Sequence, residues 1–527
     1  MDPLPVVQVI CAVLVQMGEL INITVLFPFL IFLVEDFGYS GTEVGLYSGV
    51  LAASFCSAQF VSSFWWGWIS DKYGRKPAIL FGLMGTGIGM LIFGFATTYQ
   101  QAILGRIIPG LLSGNGGVMK SFVTEVTTDS NRAKAFSYLS FGVATGAIVG
   151  PLIGGYLSFS SEKYPHVFPP SQVGAYPALL PALCCCAITM STLLFCLVTM
   201  QETCPNVIST KFMKMESETR DGTVDVEMGA ASGGTSDRPV LPETASSPPS
   251  EELHDDVVRV RAMTNESLPD VSNPLHANGS NYDQIDGMMA VDVDMPKKDT
   301  CTVFRDIPVL LATSNYGLLC FSFILMDETI PFLMRSSVQE GGMDMTSSSI
   351  GFVLSVAGLP MLLFVLFFLA RVVAGSKLRV FRIFATGTIF ITALWPIVGV
   401  VYKEEGTTTA GARTILTTCV ILLATMKHIF STVCFTSAIV MVNNSVENKH
   451  LGLANGFGQS LASAARALGP LIGGIGWSLG LSVGFVYLNF VFIILMFFCN
   501  IGLSLLLPSS IDNKKKSIKE LADNDSY

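Results

Sequence analysis

Apolar residues are gathered into twelve long runs, and these runs set the architecture. A helix needs about 20 apolar residues to cross the hydrocarbon core of a bilayer. The first six runs are 7–34, 43–66, 77–97, 101–123, 133–157 and 176–200, and the last six are 308–335, 348–370, 380–402, 414–442, 450–478 and 480–507. The pattern predicts an all-α integral membrane protein of twelve transmembrane helices, called spans 1 to 12 in chain order.

Short repeats relate the two groups of spans. Residues Gly150–Gly155 of span 5 read Gly-Pro-Leu-Ile-Gly-Gly, and Gly469–Gly474 of span 11 read the same. Pro28–Leu30 of span 1 recurs as Pro331–Leu333 of span 7. Repeats at the same ordinal span predict a duplicated unit. We therefore expect two pseudo-symmetric six-helix bundles, with a substrate site between them at the bilayer midplane.

Charge divides the chain further. Residues 202–305 hold 19 acids and 9 bases, whereas the rest holds 21 and 22, so the net charge of -9 belongs to one segment. Its Ser-, Pro- and Gly-rich composition cannot bury enough apolar area to fold alone. The predicted domains are an N-terminal bundle at 1–204, a disordered acidic cytoplasmic loop at 205–305, a C-terminal bundle at 306–508 and a cytoplasmic tail at 509–527.

Basic residues mark one side of the predicted membrane protein. Lys and Arg are retained in cytoplasmic loops. They follow even-numbered spans at Lys72, Arg75, Lys76, Arg132, Lys134, Arg371, Lys377, Arg379 and Arg382. Both termini are therefore predicted to be cytoplasmic, in a plasma membrane or a vacuolar membrane.

Composition narrows the classes of function. Hydrophobic residues make up 50% of the chain and charged residues only 13%, against about 25% charged residues in soluble proteins. The 12 cysteines lack metal-ligand spacing, and the sequence contains no nucleophile elbow or phosphate-binding loop. We expect no enzyme activity, cofactor, resident metal or nucleic-acid partner. The expected partners of a monomeric chain are the lipid bilayer, a small-molecule substrate and protons as the coupling ion.

A polar turn joins spans 2 and 3. It reads Gly67-Trp-Ile-Ser-Asp71-Lys-Tyr-Gly74-Arg75-Lys76-Pro77. Gly67 and Gly74 permit close backbone approach and a turn. Asp71 can accept hydrogen bonds at the start of a turn or helix. Arg75 and Lys76 are expected to hold the loop on the cytoplasmic side.

Small residues line one face of span 5. Gly142, Gly146, Gly150 and Gly154 recur at a spacing of four, so a neighbouring helix can approach closely. Pro151 is expected to bend the helix. The conformational residues predicted from this motif and its repeat are Gly146, Gly150, Pro151, Gly154, Gly469 and Pro470.

These motifs resemble those of the major facilitator superfamily. The loop after span 2 is similar to its G-x-x-x-D-x-x-G-R-[KR] signature, and span 5 to the G-x-x-x-G-P-x-x-G-G motif of its proton-coupled exporters. Within the superfamily the chain most resembles the zinc-induced-facilitator-like and drug:H⁺ antiporter group. The matching stretches are Asp71–Pro77, Leu104–Arg106, Asp327–Pro331 and Arg466–Pro470, with Glu202-Thr203 resembling part of a P-E-T-L-H tag. The resemblance implies alternating access and favours proton-coupled export of a small organic solute or metal chelate.

Ionisable residues inside spans are costly and become candidates for the substrate and proton pathway. Glu19 and Asn22 of span 1 lie three apart, on one helix face. Glu19 is a candidate proton carrier, and a structural hydrogen-bonded pair is the alternative. Arg106 of span 4 matches the family's R-x-x-x-G motif, which implies a proton-linked arginine near an acid or, alternatively, a structural one.

The second bundle has its own candidates. Asp327 and Glu328 are adjacent in span 7 and point about 100° apart, so only one can face the cavity squarely. Lys427 of span 10 is the candidate partner of a span-7 acid. Arg466 of span 11 either binds an anionic substrate group or ties its helix to a neighbour.

Two functions are compatible with these features. The first is a secondary active transporter whose two bundles rock about a central site. The second is a non-transporting membrane receptor or sensor that signals through the loop at 205–305. Ionisable groups inside both halves favour the transporter.

Overall fold

The computed structural model describes residues 3–128, 131–204, 207, 306–405, 410–446 and 451–512. The predicted loop at 205–305 therefore lies outside the described residues except for position 207, as does the tail from 513 onward. Every span is helical, and ten helices are long and apolar enough to cross a membrane by length and composition. The predicted all-α, twelve-span fold is confirmed.

The helix bounds follow the hydropathy pattern. In the first half they are Val6–Thr24 and Leu30–Asp36 (span 1), Glu43–Tyr73, Arg75–Gly94, Tyr99–Leu112 and Asn115–Val126 (span 4), Arg132–Leu157 and Leu179–Thr199. In the second half they are Ile307–Arg335, Ser347–Phe367, Lys377–Glu405, Ala410–Asn444, Leu451–Val483 and Leu488–Leu506. Short helices at Ser160–Lys163 and Pro170–Val173 join spans 5 and 6, Leu369–Val373 follows span 8, and 3-10 turns lie at Val338–Glu340 and Ser509–Asp512.

Two spans predicted as continuous helices are broken. Span 1 leaves the helical conformation between Thr24 and Leu30, where Pro28 has no N–H to donate to the preceding turn. Span 4 is interrupted at Ser113 and Gly114. The glycines that follow make this a poor helix-forming sequence, and Gly114 packs directly on the Trp66 ring.

The repeated hexapeptides occupy equivalent places in the two halves. In span 5, Gly150 and Gly154 face Thr24 and Val25 of span 1. In span 11, Gly469 and Gly473 face Ile324 and Leu325 of span 7. Each pair lets its helix pack closely on the first helix of its own bundle.

The last glycine of each hexapeptide crosses between halves. Gly155 of span 5 contacts the backbone of Gly351 in span 8, and Gly474 of span 11 contacts Gly45 and Gly49 in span 2. Span 5 therefore meets span 8 as span 11 meets span 2, which is the arrangement expected of a duplicated bundle.

One end of the bundle carries both described chain ends. Asn131 Nδ2 donates to the Pro3 carbonyl at 3.3 Å, and Leu378 N donates to Asp512 Oδ1 at 3.0 Å. This end also carries Gly74 and is called the terminal end. The opposite end, with Gly45 and Gly155, is called the far end.

Candidate functional site

The space between the halves is closed at the far end. Ser348 Oγ donates to the Gly155 carbonyl at 3.1 Å, and Leu46 N donates to Ser478 Oγ at 2.9 Å. Lys163 Nζ adds hydrogen bonds to Gly155 O at 2.6 Å and Ser347 Oγ at 2.8 Å. The bonds to Ser347, Ser348 and Ser478 join the two halves beside the glycine crossings.

An ion pair adds to the far-end closure. Arg335 at the end of span 7 reaches Glu35 of span 1 at 2.9 Å and Asp344 at 3.3 Å. Its guanidinium lies 4.4 Å from the ring centroid of Phe32, a distance typical of a cation–π contact. The closure therefore combines backbone packing with charge.

The terminal end is open. Gly117 of span 4 and Gly456 of span 11 are exposed, and the positions where they would carry a Cβ have no heavy atom within 4 Å. Lys120 is exposed and its Nζ donates to Gln459 Oε1 across the halves at 2.6 Å. Among the described residues, these exposed positions indicate that the space between the halves, called the vestibule, opens toward the terminal end.

Glu19 and Asn22 line one small cavity in the first half. Gln59 Nε2 of span 2 donates to Glu19 Oε1 at 2.8 Å. Asn22 Nδ2 donates to Gly18 O at 2.8 Å and to Thr189 Oγ1 at 3.2 Å. The space left is about 10 Å³, close to the minimum for one water molecule.

Arg106 lies beside this cavity. Its side chain is 2% exposed and donates from Nη1 to the Asn22 carbonyl at 2.9 Å. The guanidinium is 5.1 Å from the Phe55 ring centroid and 5.9 Å from that of Phe93. In the described part of the chain it makes no ion pair, so the acid expected from the family motif is not its direct partner.

The two span-7 acids point in different directions. Asp327 forms an ion pair with Lys427, whose side chain is 3% exposed while that of Asp327 is 40% exposed. Glu328 is 2% exposed and lies against Phe27 and Leu30 of span 1. Neither carboxylate oxygen of Glu328 has a hydrogen-bond partner among the described residues.

Arg466 enters the vestibule from span 11. Its Nη2 donates to Ser463 Oγ at 3.1 Å, and no described acid pairs with it. Arg466 lies near Tyr316 and Cys320 of span 7 and near Cys56 of span 2. Arg466 therefore lies where span 11 meets both span 7 of its own half and span 2 of the other half.

The loop between spans 2 and 3 is organised by Arg75. Its guanidinium pairs with Asp71 at 2.5 Å and with Glu125 at 3.0 Å. Glu202 accepts from the backbone N–H of Arg75 at 2.7 Å and of Lys76 at 3.1 Å. The end of span 6 therefore caps the start of span 3.

Two expectations about this loop were wrong. Span 2 runs to Tyr73, so Asp71 sits in a last helical turn and not at a helix start; Glu202 fills the capping role. Gly74 makes the turn at φ 110°, a conformation that suits glycine. Gly67 lies within the helix beside open space, so no backbone approaches it there.

The sequence analysis did not predict three contact residues: Gln59, which binds Glu19; Gln459, which binds Lys120; and Glu125, which pairs with Arg75. Gln59 and Gln459 are the only glutamines in the apolar runs 43–66 and 450–478, and Glu125 is an acid just beyond the run of span 4, at its predicted cytoplasmic end. A polar residue within or next to an apolar run indicates a polar contact, and this signal was present for all three residues. Which residue it meets depends on helix rotation, which the pattern does not determine.

Known proteins share this arrangement. Residues 12–200 match the family model described as Major Facilitator Superfamily. A major facilitator superfamily multidrug transporter of Aspergillus fumigatus is 29% identical over 507 residues, covering 91% of this chain and 80% of that protein. ZINC INDUCED FACILITATOR 1 of Arabidopsis thaliana is 25% identical over 475 residues, covering 88% and 83%. A crystal structure of a D-xylose-proton symporter matches with a TM-score of 0.61 at 12% identity, covering 97% and 99%.

Twelve helices in two related bundles around a polar vestibule define an integral, multi-pass membrane transport protein. Residues 12–200 carry the Major Facilitator Superfamily pattern, and over most of its length the chain is similar to transporters of that superfamily, as its motifs had indicated.

Proposed function

We propose that this chain is a proton-coupled secondary transporter that exports a small organic solute or metal chelate by alternating access. The terminal end is taken as cytoplasmic, in accordance with its basic loops. In the conformation described, the vestibule would then be open to the cytoplasm and ready to receive substrate.

One observation carries the proposal. Ionisable groups lie inside a vestibule that is open at one end and sealed at the other by contacts between the halves. Glu19 and Asp327 come from opposite halves, and the sealing contacts are a few hydrogen bonds, an ion pair and glycine packing. Rocking of the halves would expose the same groups to the other side.

Proton coupling is assigned to carboxyl groups on the two first helices. Glu19 of span 1 has one oxygen bonded to Gln59 and the other without a described partner. Glu328 of span 7 is buried against span 1 with no described partner at all. Burying a carboxylate charge unpaired is costly. Proton uptake by Glu19 or Glu328 would therefore favour the conformation in which that carboxyl group is buried without a partner.

A metal cargo would travel with its own ligands. Among the described residues no group of three or more His, Cys, Asp or Glu is placed to hold a metal ion. A chelate, whose donor atoms are supplied by the organic ligand, is the form of metal cargo that such a vestibule could accept.

The test is proton movement in proteoliposomes that contain a trapped pH dye. The purified chain, challenged with a panel of small organic solutes, should move protons against the solute, and an imposed pH gradient should drive solute flux. Flux that ignores the gradient would contradict proton coupling.

Matched variants locate the coupling. At saturating solute concentration, Glu19→Gln and Glu328→Gln should each retain solute exchange but lose the response to the gradient. Glu340→Gln, which changes an exposed far-end acid, should behave like the unmodified chain. Full gradient response in both Glu19→Gln and Glu328→Gln would show that the coupling groups lie elsewhere.

A further inference from the structure

Two cations in the vestibule have no acidic partner within the described part of the chain. Lys120 of span 4 donates to the amide oxygen of Gln459 at 2.6 Å. Arg466 of span 11 donates to the hydroxyl of Ser463 at 3.1 Å. Both partners are neutral, so neither cation forms an ion pair among the described residues.

The two cations belong to opposite halves and face one space. Gln459 and Arg466 are seven residues apart, which places them on one face of span 11 and about 10 Å apart along its axis. The hydrogen bond to Gln459 places the Lys120 ammonium group beside that residue. The ammonium group is close enough to the Arg466 guanidinium for their positive charges to repel. Like charges across a cavity repel unless an anion lies between them.

The half-buried carboxylate of Glu19 lies beside the same region. Oε2 of Glu19 is buried without a described partner. Gly116 of span 4 lies against this carboxylate, since a Cβ there would be 3.4 Å from Glu19 Oε1. Gly116 precedes Lys120 by one helical turn, about 6 Å along the axis, and Glu19 acts electrostatically on Lys120.

We propose that the vestibule binds a small zwitterionic organic solute, with its anionic group between Lys120 and Arg466 and its protonated nitrogen at Glu19. This assignment rests on the proposed transport function and names its substrate class. Arg466 and Lys120 supply charge-assisted hydrogen bonds to a carboxylate or phosphate. Protonation of Glu19 would remove the acceptor for the ammonium group, so proton and solute would compete.

Substrates of other charge fit less well. A cationic or neutral solute would leave Lys120 and Arg466 facing each other without a counter-charge. A simple anion would leave the free oxygen of Glu19 without a donor. A solute with both groups satisfies all three side chains at once.

The test uses three matched probes that share an indole body. Tryptophan carries both charges, tryptamine lacks the carboxylate and indole-3-propionate lacks the amine. Binding to the purified full chain is measured at pH 7 by ligand-dependent thermal stabilisation over a concentration series. Tryptophan is expected to bind at least tenfold more tightly than either of the other two.

Variants assign each charge. Lys120→Gln and Arg466→Gln should each weaken binding of tryptophan and indole-3-propionate at least fivefold and should not weaken binding of tryptamine. Glu19→Gln should weaken tryptophan and tryptamine only. Arg371→Gln, which removes a cation on the exposed surface after span 8, should leave all three probes unchanged.

Several results would overturn the assignment. These are tighter binding of tryptamine than of tryptophan, equal weakening of all three probes by Lys120→Gln, and no stabilisation by any probe. Proton flux coupled only to cationic solutes would also overturn it, while the proposed transport function would stand. If tryptophan binds more tightly than tryptamine and indole-3-propionate but a pH gradient drives no solute flux, the zwitterion site would be supported and proton-coupled transport would be contradicted.

Discussion

The carboxylate of Glu202 is a structural cap at the terminal end. Its partial match to the P-E-T-L-H tag did not predict this role. It accepts from four backbone N–H groups, those of Arg75, Lys76, Thr203 and Cys204. Two of these belong to the first turn of span 3, where helix N–H groups have no partner within the helix. An acidic side chain there is also favoured by the helix dipole.

Removing this cap should destabilise the first bundle. Glu202→Ala is expected to lower the free energy of unfolding by about 1–2 kcal/mol, the usual effect of losing a helix cap. Thermal or denaturant unfolding in one detergent measures it, with Glu340→Ala as the exposed control. Equal stability of the two variants would contradict the capping role.

The Asp327–Lys427 pair allows a sharper residue-scale test. Lys427 is buried, so Asp327→Asn leaves an ammonium group without its counter-charge, which is strongly destabilising in a dry site. Because Asp327 is 40% exposed, solvent screening reduces the expected loss to about 1–2 kcal/mol.

The double variant separates charge from packing. Asp327→Asn combined with Lys427→Met removes both charges and should recover most of the stability lost in the single variant. Unfolding of the four proteins in a double-mutant cycle gives the coupling. Strict additivity would show that the two side chains do not depend on each other.

At the scale of helices, hydropathy was sufficient to locate all twelve spans because the length needed to cross a bilayer is a strong constraint. The breaks in spans 1 and 4 were not predicted. They depend on local sequences such as Gly114-Asn115-Gly116-Gly117, which remain apolar enough to continue a run while favouring helix poorly. Helix rotation, and with it the pairing of Glu19 with Gln59, depends on contacts between distant segments.

Alanine substitution should have opposite effects on stability at two helical glycines, Gly154 of span 5 and Gly67 of span 2. Gly154 faces the Val25 carbonyl so closely that an added methyl group would overlap it, whereas Gly67 faces open space. Gly154→Ala should destabilise by about 1–3 kcal/mol through overpacking. Gly67→Ala should be neutral or stabilising by up to about 1 kcal/mol, since alanine favours helix.

Unfolding measurements on both variants check this contrast. Similar effects of Gly154→Ala and Gly67→Ala would contradict the close packing of span 5 on span 1. The sequence spacing marked the Gly154 stripe correctly as a packing face, but it gave no way to know that Gly67 is free of such contacts.

At the scale of the whole molecule, the far end should respond to pH through Lys163. This lysine lies outside the spans, in the short helix Ser160–Lys163, and burial lowers its pKa to about 8 in the closed arrangement. A solvated lysine has a pKa of about 10.4. The proton therefore binds more tightly to the open form.

The sign of the pH dependence follows. Between about pH 10.4 and 8, lowering the pH should favour opening of the far end, and below about 8 both forms are protonated and the dependence should disappear. Spin labels on Val167→Cys and Glu340→Cys, both exposed, report the separation of the halves. Lys163→Gln should abolish the change, and a distance that shortens on acidification would contradict the prediction.

The final glycine of each hexapeptide carries an evolutionary consequence. Because Gly155 meets the partner half as Gly474 does, the contact has the self-complementary form of a two-fold homodimer interface. An ancestral six-helix polypeptide that paired with an identical copy through this residue would have used one surface twice. In a fused chain, the ionisable groups of the two copies could then diverge, provided that both glycine contacts between the halves were kept.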